Sequence, residues 1–200
     1  GNEYEIGADV VINAAGPWSG QVGEMAGVHV PIQPSPGVML ALRGRLCNMV
    51  INRMAPSGDG DIIVPERALS VVGTTSWAVD DPDDLGLPKD HIQMMYDEGA
   101  KMIPLVNQAP FRAAWSAARP LIGPPQTGDE CGRELSRTFQ CFAYEEQQDV
   151  EGFVTIAGGK GTTLRAMAER TADVVCDKLG VDALCRTREV ELLPHTAYYS

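Results

Sequence analysis

The sequence predicts an α/β chain: a strand–helix unit of parallel type, a largely antiparallel β-sheet flanked by helices, and a closing strand–turn–helix. Three observations carry that prediction. A β-branched run ends in small residues at Asp9–Gly16 and feeds a helix pattern. Short apolar runs separated by turn residues fill the middle of the chain, the spacing of antiparallel strands. A glycine-rich turn at 157–163 then joins a strand to a helix pattern that ends at Gly180.

Taken in order, Asp9–Gly16 reads as a buried parallel strand. Pro17, tolerated in a first helical turn, opens a helix to Ala26, and Gly27 ends it. This is half of an α/β nucleotide-binding unit, whose ligands sit at carboxyl strand ends. Strands are expected at 38–42, 49–52, 61–65 and 70–75. A helix follows over 88–103, with Ile92, Met95, Met102 and Ile103 near one face and Pro104 as its stop. Strands at 113–118, 138–144 and 152–157 come next, the last two as a hairpin across an acidic turn. The final helix spans 162–179.

Composition narrows the function. The 200 residues are 44% hydrophobic and 22% charged, ample for a core without a metal or disulfide staple. Sixteen basic against 27 acidic residues give a net charge of −11, which opposes nucleic-acid binding. Acidic clusters at Asp80–Asp84 and Glu145–Glu151 read as solvated loops. Five cysteines without a C-x-x-C pair, and three scattered histidines (His29, His91, His195), indicate reduced thiols, a cytoplasmic setting and no metal site. The histidines read as surface or capping residues. No run of about 18 apolar residues is present, so no membrane insertion is expected. The chain opens on Gly1 rather than Met, and a piece of a longer protein is expected.

Two segments carry chemistry. Gly158-Gly159-Lys160-Gly161-Thr162-Thr163 lets backbone approach a ligand at a helix N-terminus, with Lys160 adding a cation and Thr162 or Thr163 a cap. It lacks the spacing of a Walker A loop. Arg119, at the end of a small-residue strand and before Pro120, can turn its fork into a pocket for carboxylate or phosphate, and Arg137 can join it. A flexible turn with a surface lysine, and arginines in surface salt bridges, are the plain alternatives.

Four motifs occur in one order: Ile12-Asn13-Ala14-Ala15-Gly16-Pro17-Trp18, Gly73-Thr74-Thr75, Ser116-Ala117-Ala118-Arg119-Pro120-Leu121, and Gly158 to Glu169. With them the chain resembles FAD-dependent glycerol-3-phosphate dehydrogenases of the D-amino-acid-oxidase-like flavoprotein superfamily, most closely the A-subunit of the anaerobic enzyme. The resemblance runs from Ala8 to about Leu193.

It implies the carboxyl-side part of an FAD-dependent oxidoreductase. Residues 1–30 would be a strand–helix piece of the Rossmann-like FAD domain and 31–150 the antiparallel substrate domain. Residues 151–185 would return to the FAD domain, with 186–200 as a tail. Ala15, Gly16 and Trp18 would line the flavin domain, and Gly158, Gly159, Lys160, Gly161, Thr162 and Thr163 would approach the flavin. Arg119 would clamp sn-glycerol 3-phosphate, with Arg137 a second candidate for its phosphate. Hydride would leave C2 for flavin N5, giving dihydroxyacetone phosphate, with electrons passing on to a quinone.

The partners that the resemblance further implies are a second flavoprotein subunit plus a membrane-anchoring iron–sulfur subunit. No general base is identified. The pyrophosphate fingerprint G-x-G-x-x-G is absent, so the isolated chain is expected to hold FAD poorly and to be inactive. Departures are Ala117-Ala118 where the family has Gly-Val, and Gly161 and Leu164 where it has Leu and Tyr. A flavin oxidoreductase of 2-hydroxy or amino acids, and a non-catalytic interaction module on this fold, are the alternatives.

Overall fold

The computed structural model describes residues 2–53, 62–123, 138–145 and 150–198. Its strands are β1 (Val11–Asn13), β2 (Ile32–Arg43), β3 (Ile51–Asn52), β4 (Ile62–Glu66), β5 (Leu69–Gly73), β6 (Phe111–Ile122), β7 (Phe139–Tyr144) and β8 (Val150–Gly158). The helices are α1 (Ser19–Met25), α2 (Lys89–Met102) and α3 (Leu164–Leu179). One sheet has the order β1-β8-β7 and the other β3-β4-β5-β2-β6. The α/β class with a mainly antiparallel sheet is therefore as expected, and so is the β7–β8 hairpin, antiparallel from Phe139↔Gly158. That hairpin places β7 with the three-stranded sheet, although 138–144 lies within the 31–150 segment expected to form the substrate domain.

β1 runs parallel to β8, in register Asn13↔Thr155. The expected buried strand over 9–16 is corrected here. Only three residues are extended, and Val11 and Ile12 are each 49% exposed. Among the described residues β1 bonds to β8 along one side only and stands at the edge of its sheet.

β2 is longer than the run at 38–42 suggested, because it continues through Pro34 and Pro36. Prolines interrupt a ladder by lacking an N–H. Here Trp77 and Val79 of the flanking segment donate their N–H groups to the carbonyls of Pro36 and Pro34 at 3.2 and 3.1 Å, and the Val79 carbonyl takes its donor from the Gln33 side chain at 2.7 Å. The missing donors cost nothing on that side.

The inner face of the five-stranded sheet, with Leu40, Leu42, Ile63 and Val72, closes on Met95 of α2 and on Val106, all fully buried. Burying such a side chain is worth about 1.5–3 kcal/mol. Ile92, Met102 and Ile103 pack on this core, as the helical spacing required. A smaller core, Val28, Val30, Tyr144 and Phe153, belongs to the three-stranded sheet. Alternation along β2 and β6 sends the opposite set outward, so Ser35, Gly37 and Met39 share a face with Arg119, Ala117 and Trp115. Trp115 remains 42% exposed on that face.

Candidate functional site

Arg119 lies opposite Ser35 in the β2–β6 ladder, and its guanidinium folds back across Gly37. A Cβ on Gly37 would stand 2.4 Å from Arg119 Nη2 and 2.3 Å from the Thr75 carbonyl. The glycine is thus the floor on which the fork lies. Nη1 donates to the Ser35 carbonyl at 3.3 Å, and Nη2 donates to Thr74 Oγ1 at 2.9 Å and to the Thr75 carbonyl at 3.1 Å. Thr75 is itself buried and held: its Oγ1 accepts the Val38 N–H at 3.0 Å and lies 3.0 Å from His91 Nδ1. A half-buried arginine held by three acceptors, with both Nη2 hydrogens given to Thr74 and Thr75, presents a fixed positive charge on this face of the sheet.

The second part of the site is built where β1 and β8 end side by side. Asn13, buried, ties the end of β1 together. Its Nδ2 donates to the Ser19 carbonyl at 2.9 Å and to Thr155 Oγ1 at 3.2 Å, while its Oδ1 accepts the Ala15 N–H at 3.2 Å. The chain then enters a 3-10 turn at Gly16–Trp18 and α1. In the same way β8 ends at Gly158 and passes through a 3-10 turn at Gly161–Thr163 into α3. β6 packs against both β8 and the Gly16–Trp18 turn, which brings the Arg119 strand alongside these two strand ends. Trp18 also reaches the Asp80–Asp84 loop, donating from Nε1 to Asp83 Oδ1 at 3.1 Å.

The glycines of the turn divide by role. Gly158 and Gly159 have φ of +77° and +78°. A Cβ on the first would lie 2.4 Å from the Thr138 carbonyl, and on the second 2.6 Å from Met167 Sδ. Those two are required by the fold itself. Gly16 and Gly161 have no heavy atom within 4 Å of an added Cβ, so the backbone there faces open space. Two parallel strands ending together, each leading into a helical turn with an open glycine, fit a flavin nucleotide lying across them. Lys160 is exposed beside this edge; the expected side-chain cap of α3 is corrected, since Thr163 at its N-cap position makes no cap bond and its Oγ1 instead accepts the Lys160 N–H at 3.0 Å, ahead of the helix.

Of the predicted residues, Arg119, Ala15, Gly16, Trp18 and Gly158–Thr163 thus fall on neighbouring elements, and Arg137 lies outside the described residues. Among the described residues no three His, Cys, Asp or Glu side chains gather as a metal site. Cys141 is no activated nucleophile: burial pushes its thiol up, against a smaller opposing pull from the Thr171 hydrogen bond and the charges of Arg170 and Lys178. Sequence reading named Thr75 only as part of a motif, without this role, and missed Gly37 and His91. Gly37 follows Pro34-Ser35-Pro36, outside the expected strand, and no spacing marked His91.

A family model described as FAD dependent oxidoreductase matches residues 1–174. The chain belongs to this family. It is 41% identical over 192 residues to the A1-subunit of anaerobic glycerol-3-phosphate dehydrogenase from Haloferax volcanii, covering 96% of this chain and 33% of that protein. Against the A-subunit of the Escherichia coli K12 enzyme the identity is 35%, over 96% and 35% of the two chains. The chain therefore spans about a third of the length of these relatives. Among solved structures, the glycerol-3-phosphate dehydrogenase of Bacillus halodurans, complexed with FAD, superposes with a TM-score of 0.66 at 25% identity, over 89% of this chain and 34% of that one. Glycine oxidase from Geobacillus kaustophilus shares the fold, with a TM-score of 0.60 at 20% identity, over 94% and 46%. Among the described residues no helix is long and apolar enough to cross a membrane.

Proposed function

We propose that the chain serves in the flavin-dependent oxidation of sn-glycerol 3-phosphate to dihydroxyacetone phosphate. The observation that carries this reading is Arg119, held by Ser35, Thr74 and Thr75 on an open sheet face beside two parallel strand ends, in a chain 41% identical to part of a glycerol-3-phosphate dehydrogenase. Arg119 clamps the anionic substrate, and Arg137 supplies a second cation to its phosphate. Charge-assisted hydrogen bonds from guanidinium groups suit a phosphate dianion of this kind. Ala15, Gly16 and Trp18 at the end of β1, with Gly158–Thr163 at the end of β8, hold the FAD. When bound, FAD supplies the two-electron acceptor, from which electrons pass on to a quinone.

Residues 1–30 and 151–185 form the cofactor side, and 31–150 the substrate side. A second flavoprotein subunit plus a membrane-anchoring iron–sulfur subunit complete the enzyme, which works on the cytoplasmic side. The test is anaerobic mixing of the native gene product, loaded with FAD, with sn-glycerol 3-phosphate. Bleaching of the flavin absorbance supports the proposal. Reduction by a 2-hydroxy acid or amino acid, with none by glycerol 3-phosphate, overturns it.

A further inference from the structure

We infer that His91 is a positioning residue for Arg119, acting through Thr75; the inference rests on the reading of Arg119 as the anion clamp. His91 stands in the first turn of α2, away from the strand that carries Arg119. Its ring meets Trp77 edge-on, with centroids 4.8 Å apart and an interplanar angle of 86°. Trp77 is in turn fixed by its N–H bond to the Pro36 carbonyl. The ring is therefore held in place, with Nδ1 3.0 Å from Thr75 Oγ1.

Either atom of that pair can donate, according to the histidine tautomer. A threonine hydroxyl has one hydrogen to give and two lone pairs to offer. Thr75 Oγ1 accepts the Val38 N–H, and we assign its hydrogen to His91 Nδ1, with Nε2 protonated, because a buried hydroxyl is satisfied by giving that hydrogen. Thr75 is thereby gripped from two sides, by β2 through Val38 and by α2 through His91. Its carbonyl, on the same residue, accepts from Arg119 Nη2 and from Thr74 Oγ1, the other acceptor of that fork. Thr74–Val79 has no regular secondary structure of its own, so grips of this kind set where the two acceptors stand. Loss of the histidine acceptor leaves the buried hydroxyl seeking another partner, and the carbonyl that aims the fork shifts with it.

The experiment uses the native gene product loaded with FAD, with sn-glycerol 3-phosphate as substrate. H91F keeps the ring against Trp77 but removes the acceptor. H91N places an amide oxygen where Nδ1 stands and removes the ring. The expected result is a KM raised about fivefold in H91F, with kcat within about twofold, and a KM restored to within about twofold in H91N. R119K raises KM further, and H91F/R119K is no worse than R119K alone, because both act on one fork.

Impairment of H91N equal to that of H91F, a silent H91F, or additive effects in the double variant overturns the inference while the R119K result stands. An R119K enzyme with unchanged KM overturns the clamp reading and this inference with it. If H91F loses its native thermal transition, H91A against H91N gives the same comparison of acceptor absent and present.

Discussion

Gly37→Ala is the sharpest single perturbation of the arginine site, because it adds one methyl group at the point where three groups converge. The new Cβ would stand 2.3 Å from the Thr75 carbonyl oxygen, 2.4 Å from Arg119 Nη2 and 2.6 Å from Thr74 Oγ1. The guanidinium can swing aside, but the Thr75 carbonyl is backbone, pinned by the N–H of Thr75 to Val38 at 3.4 Å and by its own hydroxyl. Overpacking of this kind costs about 1–3 kcal/mol. Displacement of Nη2 forfeits two bonds from a charged donor, partly replaced by water since the side chain is half-buried, for about 1 kcal/mol more. The sum, roughly 2–4 kcal/mol, should lower the urea midpoint by about 1–2 M. A fork no longer aimed should raise KM for sn-glycerol 3-phosphate by about 10–100-fold, at 1.4 kcal/mol per tenfold. Urea unfolding of the native gene product and steady-state kinetics read the two effects separately. A Gly37→Ala enzyme with parental midpoint and parental KM refutes the placement of Arg119 across this glycine.

Further outcomes follow from the same geometry. Gly158→Ala forces a side chain into φ +77° and against the Thr138 carbonyl, and should cost about 2 kcal/mol or more in unfolding experiments. Gly161→Ala meets no atom within 4 Å, so its melting curve should match the parent's while FAD retention falls; unchanged retention removes Gly161 from the cofactor site. Asn13→Ala breaks the links to Ser19, Thr155 and Ala15, and should destabilise by about 2 kcal/mol, checked by urea midpoint. Glu98 accepts from Lys101 and Arg53 at 2.6 Å each, and the Lys101 hydrogen bond first, with Arg53, holds its carboxyl below the usual 4.5, against burial. A lowered folded pKa stabilises above the unfolded value and is lost as pH falls through the folded one. Parent minus Glu98→Gln should therefore be about 0.5–1 kcal/mol at pH 7, shrink as pH falls below the unfolded value and disappear below the depressed folded one; a difference independent of pH contradicts the assignment.

The candidate site residues stood out in the sequence and their supports did not, and the reason is physical. Arg119, the strand-end Ala14-Ala15-Gly16 and the glycine turn stand out by residue type at the ends of strand patterns, and by occurring in one order along the chain. Helix α2 was legible too, since Ile92, Met95, Met102 and Ile103 repeat with the helical period and all pack on the core. The N-terminal half of β2 was not, because Pro34 and Pro36 ordinarily end a ladder. They are tolerated because Trp77 and Val79, some 40 residues on, give their N–H groups to the proline carbonyls, and the Val79 carbonyl finds its donor in the Gln33 side chain. The exposure of Val11 and Ile12 was equally hidden, for a β-branched run reads as buried whether or not a neighbour covers its second edge. His91 and Thr75 meet only through tertiary packing of α2 on the sheet, which no local pattern announces.

The two halves of the site are not independent, and β6 is the reason. Arg119 on that strand faces Ser35 and Gly37, while three residues on, Ile122 lies against the glycine turn: its Cδ1 would be 2.8 Å from a Cβ on Gly158. A strand is stiff along its length, and Ile122 is fixed in register with Ile32. Movement at the glycine turn should therefore reach the arginine along β6. That makes Gly158→Ala a test of coupling as well as of stability. It should raise KM for sn-glycerol 3-phosphate together with weakening FAD retention, whereas Gly161→Ala, which touches nothing on β6, should weaken retention alone. Equal effects of the two variants on KM would mean that β6 does not connect the halves.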